Sequence, residues 1–176
     1  IYIPKDSEWD FTNIYNDDIV RKIPIYNEGI AGIKKLIQNT NEMTANGIPT
    51  LPIEIQNNTA VMKRVTSQTL SDVLRDCLKT EKDGLLKYID KLYEYILTSS
   101  EHISSEKNAF INMAPDADWG VILKKAYIEM IPVNCFIENG EFLFFDQEYS
   151  IENCPARYVM SRAVADIYSF IPEVAN

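Results

Sequence analysis

"MIPVNCFIENGEFLFFDQEY", residues 130–149, is the stretch on which the reading of this chain turns. Two apolar runs, Val133 to Ile137 and Glu141 to Phe145, flank Glu138-Asn139-Gly140, and Asn-Gly supplies the left-handed backbone that a tight hairpin needs. The spacing predicts a β-hairpin. Its ends carry polar residues, Asn134 where the first strand begins and Asp146 where the second stops, and a hairpin sets such ends side by side. A carboxylate and an amide oxygen held together make an oxygen-rich site of the kind Mg²⁺ accepts. The same two residues also read as a solvated turn, opened by Asp146 and capped by Asn134.

Working outward, the upstream elements fall into two groups. Residues 10–26, "DFTNIYNDDIVRKIPIY", alternate around Asn16-Asp17-Asp18 and suggest two short strands, the second holding Ile19, Val20, Arg21 and Lys22. From Glu28 to about Asn46, Ile30, Ile33, Leu36, Ile37 and Met43 follow a helical period that Asn46-Gly47 and Pro49 stop. "TLPIEIQ" and "NTAVMKRV" flank Asn57-Asn58 as a second hairpin. After Val65 the pattern turns helical: "SQTLSDVLRDCL", then "DGLLKYIDKLYEYIL" with Asp83 as a candidate cap. A mixed loop over about 98–117 leads through "DWGVILKKAYIEMI" to the opening hairpin, and a last helix is expected near 155–170. Strands and helices are thus segregated, which predicts an α+β chain. The division is a strand-rich part over 1–66 with one helix and a helical part over 67–176 carrying the hairpin.

Composition narrows the function classes. The chain has 176 residues, 46% of them hydrophobic, enough for a core of its own. Its formal net charge of −9 would repel a phosphate backbone, and basic residues cluster only in pairs such as Lys34-Lys35, Lys63-Arg64 and Lys124-Lys125. No nucleic-acid partner is expected. Cys77, Cys135 and Cys154 are an odd number without C-x-x-C spacing, which favours a reducing, cytoplasmic setting over a disulfide framework. His102 is the single histidine, too little for histidine-dependent zinc or triad chemistry, and its place after a helical run suits a surface or C-capping role. No apolar run is long enough for a membrane span. A chain that opens on Ile1 reads as a fragment of something longer.

The stretch resembles the catalytic segment of the protein-kinase-like superfamily, in which an acid, four residues and an Asn precede a hairpin that ends on a metal-binding Asp. Here "E-M-I-P-V-N" places Glu129 first and Asn134 second, and "F-F-D-Q-E" places Asp146 third; Pro132, two before the Asn, is common in that loop. The resemblance implies a reduced two-lobed kinase-like fold that binds ATP and Mg²⁺. It implies Asn134 and Asp146 as Mg²⁺ ligands, Glu129 as the base, and Lys22 on the nucleotide phosphates. In such kinases that lysine pairs with a Glu of the next helix: Glu42, twenty residues on, or the competing Glu28 at the helix start. Lys22 also reads as an edge-strand charge. "VMKRVTSQTLSDVL" resembles the strand, hinge and short helix of an adenine pocket, and equally a plain capped amphipathic helix.

Further along, Pro155, Tyr158, Val159, Arg162 and Ala163 extend the similarity to kinase-like C-terminal modules of bacterial cell-surface polysaccharide proteins. Those modules follow glycosyltransferase or methyltransferase domains, so a fused or partner transferase is implied, with a sugar or other small hydroxyl compound as acceptor. Three departures stand against activity. No Gly-rich loop precedes Lys22, Glu129 occupies the position of the catalytic Asp, and Gln147-Glu148 follow Asp146 in place of Phe-Gly. An extra methylene at position 129 displaces the carboxylate enough to lower the rate in a rigid site. Glu148 reads either as a second carboxylate for the metal or as a solvated acid. The implied alternative is a kinase-like binding or scaffolding module without catalysis; a third reading is an unrelated α+β interaction domain.

Overall fold

The computed structural model describes residues 11–15, 18–80 and 82–171. The turn positions Asn16 and Asp17 and the capping side chain expected of Asp83 lie outside the described residues and side chains. The chain is mixed α+β, with small antiparallel sheets and four helices among the described residues.

The first sheet has four antiparallel strands, β1 (Phe11–Tyr15), β2 (Ile19–Pro24), β3 (Ile53–Gln56) and β4 (Thr59–Lys63), in the order β1-β2-β4-β3. Asn57 and Asn58, with φ of 52° and 63°, make the tight turn between β3 and β4. Helix α1 (Asn27–Ala45) packs on β2 and β4 through Ile33 and Leu36. It ends where Gly47 takes a φ of +81° and the Gly47 and Ile48 N–H groups donate back to Thr44 and Met43 carbonyls, both at 3.0 Å.

Helix α2 (Leu70–Thr80) starts at a capping box. The Thr69 hydroxyl accepts the Asp72 N–H at 3.2 Å, and Asp72 Oδ2 accepts the Thr69 N–H at 3.2 Å. Helix α3 (Lys82–Thr98) buries Leu92 and Ile96 completely. The His102 ring nitrogen lies 2.7 Å from the Leu97 carbonyl in the last turn of α3, consistent with the C-capping role.

A second sheet joins β5 (His102–Ile103), β6 (Ile122–Tyr127) and β9 (Ser150–Pro155) in the order β5-β6-β9. Sequence patterning did not reveal it. β6 reads apolar, apolar, Lys, Lys, apolar, apolar, and both ends are buried, so neither alternation nor a continuous apolar run marks it. β7 (Cys135–Glu138) and β8 (Glu141–Phe144) form the expected hairpin, with φ of 54° at Asn139 and 81° at Gly140. Its first strand starts two residues later than the apolar run, because Pro132–Asn134 form a 3₁₀ turn that Pro132 opens. Helix α4 (Ala156–Phe170) completes the fold.

Two hydrophobic clusters hold these elements. The smaller contains Ile33, Leu36, Leu51, Ala60 and Met62; the larger is centred on Leu70, Leu74, Leu92, Ile96, Phe142 and Phe144. They exchange residues across position 66: Met43 and Ile48 belong to the larger, and Leu143 and Phe145 pack on the smaller. The opening hairpin therefore lies where the two cores meet. Among the described residues, no helix is long and apolar enough to cross a membrane.

Candidate functional site

Lys22 belongs to an inner strand, opposite Asn13 of β1 and Ala60 of β4, and is only 5% exposed. Being flanked on both sides corrects the edge-strand reading. A buried ammonium needs charged partners. Among the described residues Lys22 Nζ donates to Asp146 Oδ1 at 2.6 Å and is paired with Glu148. Glu148 is as buried as the lysine, whereas the Asp146 side chain is 40% exposed at the mouth of the site. The solvated reading of Glu148 is thereby replaced.

The backbone makes this arrangement possible. Asp146 has a φ of 58°, a left-handed conformation that turns the chain sharply as it leaves β8 and brings Glu148 back toward the lysine. Asn39, fully buried on α1, donates from Nδ2 to the carbonyls of Gln147 at 2.8 Å and Glu148 at 3.2 Å. Gln147 Nε2 donates to the Glu129 and Phe145 carbonyls, both at 2.8 Å. Glu129 Oε2 accepts the N–H groups of Glu148 at 2.7 Å and Tyr149 at 3.1 Å. The turn is held from α1 on one side and from residue 129 on the other.

Glu129 is thus brought to the site, with its carboxylate aimed into this turn. Burial pushes its pKa up to about 7, and the neighbouring Asp146 charge adds to the shift. The N–H of Tyr149 and the charges of Lys22 and Arg162 oppose it. Asn134 lies beside the same turn: its carbonyl accepts the Phe145 N–H at 3.0 Å, one residue before Asp146. Asp166 of α4 accepts the Val133 N–H at 3.3 Å and so supports the Pro132–Asn134 turn. Burial raises the Asp166 pKa to about 6. Arg162 Nε donates to the Ile128 carbonyl at 2.9 Å, tying the other end of that loop to α4.

Glu42 goes elsewhere, which corrects the expected pairing with Lys22. Its Oε2 accepts Lys125 Nζ at 2.6 Å and the Tyr127 hydroxyl at 3.1 Å, and Gln38 donates to Oε1 at 2.8 Å. These bonds tie α1 to β6. Twenty residues of separation matched the expected spacing, yet the α1 residue that meets the turn of Lys22's partners is Asn39, three residues before Glu42. Glu28 is exposed at the start of α1, and its carboxylate is not among the described partners of Lys22.

Beside Lys22 and Asp146 opens a cleft of about 410 Å³ whose lining includes the apolar Val20, Leu51, Met62, Val65, Phe136 and Phe145 and the polar Thr69 and Arg64. The Phe136 and Phe145 rings stack at 4.3 Å between centroids and 17° between planes. An apolar slot beside a lysine matched by two carboxylates suits a flat ring, and an anionic tail there needs a cation at Asp146 to offset the excess negative charge. For a metal, the donor at hand is the half-exposed Asp146 carboxylate, with Asn134 brought beside the turn through its main-chain carbonyl; no group of three His, Cys, Asp or Glu gathers among the described residues. One or two oxygen donors with the remaining positions left to water or phosphate fit Mg²⁺, and do not fit zinc or a protein-caged calcium.

Sequence reasoning missed Asn39 and Asp166, and named Gln147 and Arg162 only as motif positions without a part in the site. Asn39 and Asp166 had a usable signal: each is a polar residue on an apolar helical stripe, between Leu36 and Met43 in one case and between Ala163 and Ile167 in the other. The two buried thiols, Cys135 and Cys154, are pushed by burial up to about 12 and supply no nucleophile. No protein-family model matches the chain, and no curated protein sequence matches it.

Proposed function

We propose that the chain is a reduced, two-lobed protein-kinase-like module that binds ATP with Mg²⁺ and transfers the γ-phosphoryl group to a sugar or other small hydroxyl substrate. The observation that carries this reading is the Lys22–Asp146 contact at the end of an apolar cleft, made between residues 124 apart. The slot between Val20, Leu51, Met62 and the Phe136–Phe145 stack receives the base, and Lys22 receives the phosphates. Asn134 and Asp146 hold the metal, which supplies charge neutralisation at the phosphates when bound. The fused or partner glycosyltransferase or methyltransferase, the cytoplasmic setting and a place in cell-surface polysaccharide biosynthesis belong to the same proposal.

One observation favours a second reading, a nucleotide-binding module without catalysis. The Glu129 carboxylate, the candidate base, is spent on the N–H groups of Glu148 and Tyr149, and it shapes the turn without facing an acceptor. In the phosphotransferase reading, Glu129 must release one of these bonds to take the acceptor's proton.

Thermal unfolding with ATP and Mg²⁺, repeated on Asp146→Asn, tests the nucleotide site. Ligand at a hundredfold its Kd adds about 2.7 kcal/mol, which for a chain of this size raises Tm by roughly 5 °C or more. No rise in the parent chain sinks both readings. A rise without ADP release in the presence of small sugars leaves the binding module.

A further inference from the structure

Among the described residues Lys22 has two carboxylate partners with different surroundings. Asp146 is 40% exposed and lies where a metal would claim it, whereas Glu148 is buried with the lysine. A carboxylate bound to Mg²⁺ has less charge to offer an ammonium, so a lysine held by Asp146 alone would lose its anchor when the metal arrives. Glu148 has no such second demand: its backbone is pinned by Asn39 through the Glu148 carbonyl and by Glu129 through the Glu148 N–H, which fixes where its side chain starts. Helix α1 meanwhile brings an amide, Asn39, to this point and sends its acid, Glu42, to Lys125 and Tyr127.

We propose that Glu148 is the positioning residue for Lys22, fixing the ammonium toward the phosphates while Asp146 serves the metal, and that no acid of α1 takes this part. The inference rests on the nucleotide-binding reading above. Its consequence is regulatory. Where the lysine's anchor sits on a helix, moving that helix switches the site off. Here the anchor and the metal acid are two residues apart on one turn, so α1 acts on the site through Asn39's hold on that turn and not through an acid that must reach the lysine.

The test is a fluorescence titration of the whole chain with ATP, ADP and adenosine, each in the presence of Mg²⁺. The proteins are the parent, Glu148→Gln, Glu148→Ala and Glu42→Gln. Glu148→Gln keeps shape and an acceptor while removing the charge, so it remains informative if the alanine variant does not fold. Loss of a charged hydrogen-bond partner is expected to weaken ATP and ADP roughly tenfold or more. Adenosine, which lacks phosphates, should stay within about twofold, a selectivity that general loosening of the site would not give. Equal losses for adenosine and ATP, or unchanged ATP affinity in Glu148→Gln, overturn the inference while the nucleotide reading stands. A tenfold loss of ATP affinity in Glu42→Gln overturns it by returning the anchor to α1. If the parent binds neither ATP nor adenosine, the nucleotide reading falls and the inference with it.

Discussion

Lys22 Nζ lies 2.6 Å from Asp146 Oδ1 and is paired at the same time with Glu148, so one ammonium from the four-stranded sheet joins both acids of the turn that ends the opening hairpin. Lys22 and Glu148 are each 5% exposed. Removing the lysine leaves a buried carboxylate without its counter-charge, which costs about 3–5 kcal/mol. Lys22→Met is expected to lower the urea midpoint accordingly. The double variant Lys22→Met/Glu148→Leu should recover most of that loss, because an apolar pair of similar volume replaces a costly buried charge. Equal midpoints for the single and double variants would show that the pair is not what the lysine stabilises.

The pH dependence of stability should carry the mark of Glu129. Its folded pKa is raised to about 7 from an ordinary 4.5, chiefly by burial, so between these values the folded chain holds more protons than the unfolded one. Stability therefore falls as pH rises through this window and is flat above it, by on the order of 3 kcal/mol in all. Asp166, raised to about 6, adds a slope of the same sign at the lower end. Glu129→Gln still accepts the Glu148 and Tyr149 N–H groups but does not titrate. Subtracting its unfolding curve from the parent's between pH 4.5 and 8 isolates the Glu129 contribution. A difference that does not change with pH would contradict the raised value.

What could be read in the sequence follows from range. The hairpins at Asn57-Asn58 and Asn139-Gly140, the helix carrying Ile33, Leu36 and Met43, and the capped helix after Thr69 are written in local turn chemistry and periodicity, and each stands close to where it was expected. β5, β6 and β9 were not legible, because their pairing joins residues 19 to 33 apart and β6 has no strand period of its own. Lys22, Asp146 and Glu129 were visible as chemistry in a spacing, and the structure gathers them in one turn. The error over Glu42 was one of position along the helix. A count of twenty residues does not say which turn of α1 meets the residues around the lysine, and Asn39, three residues before Glu42, is the one that does. Asp166 stood out only as a polar residue on the apolar stripe of α4; its partner, a main-chain N–H, has no sequence signature.

The hairpin turn gives a local test. Gly140 holds a φ of +81°, where a side chain costs about 1–2 kcal/mol although nothing lies within 4 Å of the place a Cβ would take. Gly140→Ala should lose that amount through the backbone alone. Asn58, at +63° in the β3–β4 turn, should gain up to about 1 kcal/mol as Asn58→Gly, since Asn-Gly suits both positions of such a turn. Urea unfolding of both variants reads the two opposite signs.

The Thr69 cap links helix α2 to the cleft, since Thr69 lines the pocket and also forms a β-bridge with Phe136. Thr69→Ala removes the acceptor for the Asp72 N–H and should cost about 1 kcal/mol. Thr69→Ser keeps the hydroxyl and should cost only a few tenths, so comparing the two separates the cap from the lost methyl. Equal losses in the two variants would assign the effect to packing instead.

Asn39 offers the sharpest separation of packing from polarity. Its Nδ2 group serves two carbonyls, those of Gln147 and Glu148, in a fully buried place where water cannot replace it. Asn39→Asp keeps the size but replaces the donor with oxygen facing two carbonyl oxygens, so both repulsion and a lost hydrogen bond act on the turn. Asn39→Leu has similar volume and leaves the carbonyls unpaired without repulsion, which costs about 1–3 kcal/mol. Stability should therefore fall in the order parent, Asn39→Leu, Asn39→Asp at pH 8, where a carboxylate is ionised. Lowering the pH toward 5 should narrow the gap, because a protonated Asp regains one donor for the Gln147 carbonyl. Unfolding free energies at the two pH values decide it: an Asn39→Asp variant as stable as Asn39→Leu at pH 8 would mean that the turn is held by its other anchors, Glu129 and the side chain of Gln147, and that α1 contributes only packing.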